Sequence, residues 1–289
     1  MSLVTRRNFL QIAAGLAATG ALALAEDTTV LEPNHPILNA IEVGLPRLPA
    51  AFDGFTIAQL SDFHYDVHSL APIRVAIEIV NSLHPDLIVL TGDFVTVPMF
   101  PHRFYSRKRA ASAAEPCASL LAPLQSRLGM LSVLGNHDVD SDPRRIAAAL
   151  QAHGIPVLRN RAVWLEQGGS RIWFCGVDSL FETHPDMDLA LQRVPANELT
   201  ILLVHEPDFA DEAAHYPIDL QLSGHSHGGQ IWLPGIGAPW LPLHARKYPR
   251  GLHRIGPLTL YTNIGLGTIR LPIRLNCPPE VTLFTLRCA

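Results

Sequence analysis

Lysine is nearly absent from this chain: Lys108 and Lys247 are the only two, and arginine supplies the rest of the Lys/Arg charge. The net charge is −4, so the overall balance excludes the basic excess typical of nucleic-acid binders. Cysteine is scarce as well. Four in 289 residues make no disulfide scaffold, and Cys117, Cys175, Cys277 and Cys288 have no metal-type spacing, which leaves buried free thiols as their reading. Internal repeats and low-complexity tracts are missing, and after residue 25 no apolar run is long enough to span a bilayer. Against these absences stand 48% hydrophobic and 17% charged residues, the balance of a globular chain with a large core. Histidine is the unusual abundance: there are 14, several beside Asp, Asn and Gly.

Residues 1–25 read as an export address. Arg6 and Arg7 open it in Thr5-Arg6-Arg7-Asn8-Phe9-Leu10, an apolar stretch comes next, and Ala23-Leu24-Ala25 closes it with a small-x-small cleavage pattern. The paired arginines resemble a twin-arginine signal, which implies transport of the folded protein by that machinery to the periplasm or the outer face of the inner membrane. The alternative is an uncleaved anchor. The run of about 17 residues is short and Ala/Gly-rich for a bilayer span, so a cleaved signal is favoured. With Arg6 and Arg7 removed, 20 basic residues face 26 acidic ones, a balance of −6.

Residues 26–50 hold four prolines and little pattern, and read as an extended lead-in to a domain over 51–289. From there, short apolar runs at 55–60, 87–90, 130–134, 201–204 and 220–222 alternate with amphipathic stretches. Apolar spacing predicts a helix over 70–83 and another over 144–153, the second started by Asp142-Pro143 and stopped by Gly154. Residues 157–165 and 171–177, joined across Gly168-Gly169, read as a hairpin, and 284–286 as a last strand. Strands alternating with helices predict an α/β architecture.

The residues just beyond each apolar run carry the chemistry. The first run leads into Ser61-Asp62-Phe63-His64 and the second into Thr91-Gly92-Asp93. The third meets Gly135-Asn136-His137-Asp138, the fourth His205-Glu206-Pro207-Asp208, and the fifth Ser223-Gly224-His225-Ser226-His227-Gly228-Gly229. Singly, each fragment has an ordinary explanation as a turn or a helix cap. Jointly they do not, because sites in α/β sheets form beyond the carboxyl ends of strands, where five such ends would converge.

Two carboxylates, one amide and four imidazoles, with no thiolate, suit Mn, Fe, Zn or Ni. Seven donors are too many for one ion but suit two divalent ions about 3.5–4 Å apart, which clamp a phosphoryl group and acidify a water. Of their four positive charges, Asp62, Asp93 and a hydroxide cancel three, and the remaining one attracts phosphate.

Asp62-x-His64, Gly92-Asp93, Gly135-Asn136-His137-Asp138, His205 and Gly224-His225-x-His227 together resemble the motif set of the calcineurin-like metallophosphoesterases. The resemblance implies a sandwich of two mixed β-sheets flanked by α-helices. It also implies one metal held by Asp62, His64 and His227, a second by Asn136, His205 and His225, and Asp93 bridging them. His137 is similar to the family histidine that contacts the transferring phosphate and protonates the leaving oxygen, with Asp138 orienting it.

Two further segments, 222–230 and 272–280, resemble an exported or membrane-associated bacterial branch that includes UDP-2,3-diacylglucosamine hydrolases. That resemblance makes a phosphodiester or pyrophosphate the expected substrate, a lipid-linked sugar nucleotide among the candidates, with peripheral membrane contact. One departure stands out: where the branch usually has Asn-Arg-Gly, this chain reads Asn263-Ile264-Gly265. Basic clusters at 103–109 and 246–254 read either as solvated surface or as holders of phosphate. Trp232, Trp240 and Leu241 read as core, with an apolar wall for a lipid chain as the alternative. The competing function is a catalytically idle metal-dependent binding protein on the same fold. A protein phosphatase is disfavoured, because Gly92-Asp93 continues as Phe94-Val95-Thr96-Val97.

Overall fold

Burial on both faces of the central strands decides the layering. The computed structural model describes residues 6–65, 67–98, 107–181 and 185–289. One mixed sheet runs β1 (Ile37–Leu45), β11 (Glu280–Cys288), β2 (Thr56–Leu60), β3 (Leu87–Leu90), β4 (Met130–Ser132). The other runs β5 (Arg161–Gln167), β6 (Ser170–Gly176), β7 (Leu199–Leu203), β8 (Leu220–Ser223), β10 (Leu258–Thr262), β9 (Gly251–Ile255). Strands alternate sides residue by residue, so a strand buried throughout must serve two cores. Leu87 and Val89 of β3 enter the cluster between the sheets, whereas Ile88 and Leu90 enter a second cluster under the helices. In the other sheet, Ile201 and Leu203 of β7 join the shared layer and Leu202 a third cluster on the far side. The result is the two-sheet sandwich with outer helices that the motifs implied.

The helices match their sequence signals. Ala71–Leu83 lays Ile73, Ala76, Ile77 and Val80 on the first sheet and stops at His84, whose backbone is left-handed. Pro143–Ala152 starts beneath Asp142, whose carboxylate accepts a hydrogen bond from Arg145 N at 3.1 Å. The hairpin pairs β5 with β6 in antiparallel register.

The lead-in differs from expectation. Asp27–Leu31 and Glu32–Asn34 are helical, and β1 pairs with β11 in parallel along nine residues, so the sheet begins before residue 51. The prolines flank β1 rather than interrupt it, and alternation in Ile41-Glu42-Val43-Gly44-Leu45 sends Ile41, Val43 and Leu45 to the shared layer. No continuous apolar run announces β9 and β10 either: His253-Arg254 interrupts the first, and Thr259 and Thr262 break up the second. Upstream, Arg6–Glu26 is one helix whose described side chains are exposed. Among the described residues no helix is long and apolar enough to cross a membrane.

Candidate metal centre

Parallel pairing of β2 with β3, β3 with β4, and β7 with β8 makes the carboxyl ends of these strands open on one side. The turns beyond them are unusual. Asp62, His64, Asp93, His225 and His227 all hold left-handed backbone, with φ of 53°, 45°, 57°, 69° and 50°. For residues other than glycine this costs about 1–2 kcal/mol each, so the surroundings must impose it. They do: Asp62 N donates to Gly92 O (2.9 Å), and Phe63 N and His64 N both donate to Asp93 O (2.8 and 3.1 Å). Glycine is required where these turns touch. A Cβ on Gly135 would collide with the Asp93 carboxylate, and one on Gly265 would stand 2.6 Å from Asp62 Cβ.

Two groups of donors result, and a third of the same kind, His64, Asp93 and His137, overlaps both. Asp62, His64 and His227 bring ligand-type atoms within 4.8 Å of one another, and so do Asp93, His205 and His225. In the first, His64 Nε2 and His227 Nε2 face each other at 3.0 Å, and His227 Nε2 stands 3.3 Å from Asp62 Oδ1. Asp93 Oδ2 lies between the groups, 3.2 Å from His205 Nε2 and 3.6 Å from His64 Nε2. Asn136 lines the same cavity, and its buried Oδ1 has no hydrogen-bond partner among the described residues. The far ring nitrogens are fixed: His64 Nδ1 by Thr96 Oγ1 (2.9 Å), His205 Nδ1 by Thr91 O (2.6 Å), His225 Nε2 by Leu243 O (2.8 Å). Second contacts of this kind aim histidine lone pairs at a metal.

Burial and mutual charge set the protonation states. Burial lifts the Asp62 carboxyl to about 6, and Asp93 adds to the rise while His205 opposes it. Burial also pushes Asp93 up, but the rings of His205, His137 and His64 outweigh it and hold the carboxyl well below the usual range. His64 and His227 are driven well below the ordinary histidine value by burial, and His225 to about 3. His205 goes the other way: burial lowers it, yet Asp93 and Asp62 raise it well above its ordinary value. Three imidazoles that burial keeps neutral, the His205 ring and an orphaned amide oxygen converging on two carboxylates fit divalent cations.

His137 stands beside this set, half-buried, its ring 4.9 Å from that of His64. Val97 N donates to its Nδ1 at 2.9 Å, so the neutral ring carries its hydrogen on Nε2. Asp138 does not orient that ring, contrary to expectation. Its carboxylate accepts four backbone N–H groups instead, from Asp93, Gly135, Phe94 and Val95 at 2.9–3.2 Å. Asp138 lies in the first turn of a helix, Asn136–Ser141, where N–H groups need partners, and this clamp takes up neighbours from the β3 turn too.

Several functional neighbours had no individual signal in the sequence, although Arg274 falls within the branch-like segment 272–280 and Glu206 follows His205. Arg274 is fully buried and donates to the carbonyls of Cys277, Ile264, Gly265 and Gly267 at 2.7–3.1 Å. The loop it holds, delivered by β10, packs on Asp62: Gly267 N donates to Asp62 O at 2.7 Å. Glu206, buried behind His205, accepts from Ser179 Oγ and Leu180 N. Arg274 meets only main-chain oxygens, so no charge pattern points to it. Ile264, at the departing Asn-Ile-Gly, is buried. Trp240 is not core: it is 43% exposed at the cavity mouth, under the Arg270 guanidinium. Residues 246–254 are tied down locally, with Lys247 on Asp211 (2.7 Å) and Arg250 over Trp232 (4.2 Å). Of the 103–109 cluster, residues 103–106 lie outside the described residues.

Comparisons with known proteins agree with this geometry. The family model for calcineurin-like phosphoesterases matches residues 55–229. The chain is 36% identical over 293 residues to the uncharacterized metallophosphoesterase YkuE of Bacillus subtilis (strain 168), covering 99% of each. It is 30% identical to phosphodiesterase YaeI of Escherichia coli (strain K12), covering 98% of this chain and 100% of that one. Among solved structures, a Staphylococcus aureus protein assigned as a 5'-nucleotidase overlays with a TM-score of 0.50 at 12% identity, covering 81% of this chain and 54% of that one; it supports the fold alone. On the family match and the full-length relatives, the chain belongs to the calcineurin-like phosphoesterases, metal-dependent hydrolases of phosphoester bonds.

Proposed function

We propose that the chain hydrolyses a phosphodiester or a pyrophosphate at a dinuclear centre. Asp62, His64 and His227 would hold one divalent ion, Asn136, His205 and His225 the other, and Asp93 both. The observation that carries this reading is the position of Asp93 Oδ2, within 3.6 Å of a histidine from each group. Two bound ions supply an acidified water and a clamp on the phosphoryl oxygens. The chain's own residues do the rest. Asp93 Oδ1 accepts from His137 N at 2.9 Å, which fixes the helix start that presents the His137 ring to the cavity. His137 Nε2–H donates to a phosphoryl or leaving oxygen as charge develops there. Thr96, Thr91 and Leu243 lock the rings of His64, His205 and His225, so these three rings are already oriented for binding.

Reconstitution tests the reading: the metal-stripped protein should take up two equivalents of Mn²⁺ and then turn over a p-nitrophenyl phosphodiester. Saturation at one equivalent with full activity would defeat the dinuclear assignment. A lipid-linked sugar nucleotide is one candidate substrate, supported by the branch-like segments 222–230 and 272–280. Export by the twin-arginine route is supported by Arg6-Arg7 and the Ala23-Leu24-Ala25 ending. Replacing both arginines with lysine should strand active precursor in the cytoplasm; unchanged fractionation would remove the route.

A further inference from the structure

Two cavities meet beside the metal ligands. The larger, about 390 Å³, is bounded by Asp93, Asn136, His137 and His225 among others. The smaller, about 160 Å³, is walled by Ile231, Trp240, Ile269, Leu271 and Ile273. His227, Trp240, Ile269 and Arg270 line both, so the two adjoin. An apolar cavity of about 150 Å³ is large enough to take up benzene.

The smaller cavity is a constructed feature rather than a gap in packing. The Gln230 amide pins its wall: Nε2 donates to Leu271 O (3.0 Å) and Ile273 O (2.9 Å), and Oε1 accepts from Ile269 N (2.7 Å). Leu275 N donates to Gln230 O at 2.9 Å, and the Arg274 guanidinium ties down the carbonyls beneath the same loop. Gln230 lies three residues after His227, so the strand end that supplies a metal-facing ring also shapes this wall. Gln230 and Arg270 both hold left-handed backbone, with φ of 61° and 62°. Gln230 caps the short turn His227–Gly229 with its N–H on His227 O, so the cavity wall is tied to the turn that carries His227.

Arg270 stands at the junction. Its guanidinium lies 4.1 Å over the Trp240 ring, and among the described residues it has no hydrogen bond or ion pair. A stacked guanidinium keeps its donors in one plane and suits paired contacts to phosphoryl oxygens.

We propose that the substrate is a phosphoester bearing one compact apolar group, about the size of a six-membered ring. That group sits on the ester arm that stays on phosphorus. The ring seats among Ile231, Leu271, Ile273 and Trp240, and Arg270 meets the phosphoryl charge between that cavity and the metal-facing residues. The departing arm leaves through the larger cavity, on the His137 side. This inference rests on the phosphoester reading above.

The test varies one arm and keeps the leaving group. The full chain with Mn²⁺ is assayed on p-nitrophenyl phosphodiesters with methyl, 2-hydroxyethyl, benzyl or dodecyl as the second arm. Benzyl should exceed methyl in kcat/KM by about tenfold or more, mainly through KM, from the apolar surface it buries. Ile273→Asp, and independently the more exposed Leu271→Asp, should bring the benzyl-to-methyl ratio towards one. Arg270→Gln should raise KM for every arm alike. Calorimetry gives a readout that needs no turnover: benzylphosphonate should bind more tightly than methylphosphonate by a similar factor. Equal kcat/KM for benzyl and methyl, or an unchanged ratio in both aspartate variants, would overturn the proposal. So would dodecyl above benzyl, which would mean an extended groove. Failure of the phosphoester reading looks different: no diester is turned over, while the phosphonate preference still reports on the cavity.

Discussion

The two halves of the proposed centre differ in one ligand, the Asp62 carboxylate against the Asn136 amide, and in the charges behind their ligands. Behind Asp62, His64 and His227 lies the buried guanidinium of Arg274, bonded only to carbonyls, and its charge reaches both Asp62 and His227. Behind His205 lies the buried carboxyl of Glu206, which raises the ring's proton affinity. If each half holds a cation, as proposed, the charge behind the ligands opposes it in the Asp62 half and favours it in the His205 half, which offsets the carboxylate ligand that only the Asp62 half has to itself. Similar sets of ligands thus do not imply identical affinities, because a buried charge in low dielectric acts on the ion through the ligands.

Asp93 breaks the comparison altogether, since both halves use it. Asp93→Asn should lower activity by more than about a hundredfold, beyond what loss of a supporting contact costs, and should release at least one metal. Elemental analysis together with kcat/KM checks this; an active variant holding two metals would remove Asp93 from the centre.

His137 tests whether catalysis sits apart from metal loading. With Nδ1 already accepting from Val97 N, the ring presents Nε2 as its donor to the cavity. His137→Ala should therefore keep both metals and lose about 10²–10³ in kcat, as for one oxyanion donor. The loss should be similar for p-nitrophenolate and for an alkoxide leaving group. A much larger loss with the alkoxide would restore the protonating role that the family resemblance implies.

The strand ends are legible because each ligand lies just beyond an apolar run that a short strand explains, as in Leu222-Ser223-Gly224-His225. The helices at Ala71–Leu83 and Pro143–Ala152 are legible from spacing and from Asp142. The hidden features depend on partners far along the chain. Arg274 bonds to carbonyls of a loop that only β10 brings to Asp62, and Glu206 looks like a turn residue until Ser179 meets it. β1 hides among prolines, although its pairing with β11 depends on the interval between Pro36 and Pro46. Asp138 departs from expectation for a related reason, because its partners are backbone N–H groups, which carry no sequence identity.

Glu206→Gln sharpens the contrast between the halves. It keeps the shape and removes the charge behind His205, so affinity of that half should fall about 10–100-fold while the Asp62 half is unaffected. Two-step calorimetric titration with Mn²⁺ separates them: the step that releases a proton at neutral pH should weaken and the other should not. Equal weakening of both steps, or of the other step alone, would show that Glu206 does not act on the His205 half.

Acidity separates the halves by the smallest margin. Metal must displace whatever protons its ligands hold, so affinity falls as pH drops through each ligand's metal-free pKa, by about tenfold per unit for one proton. In the first half the group that matters is Asp62, lifted by burial to about 6, since burial keeps His64 and His227 unprotonated. Its affinity should be flat above that pH and decline below it. In the second half the proton sits on His205, which Asp93 and Asp62 hold well above the ordinary histidine value. Metal entering there must expel that proton at neutral pH, so affinity should still be rising with pH where the first half has levelled off. Proton release, measured in two buffers of different ionisation enthalpy at neutral pH, should be close to one per ion for the His205 half and small for the Asp62 half. Equal release from both would show that the charges behind the ligands do not set their protonation, and the distinction between Arg274 and Glu206 would go with it.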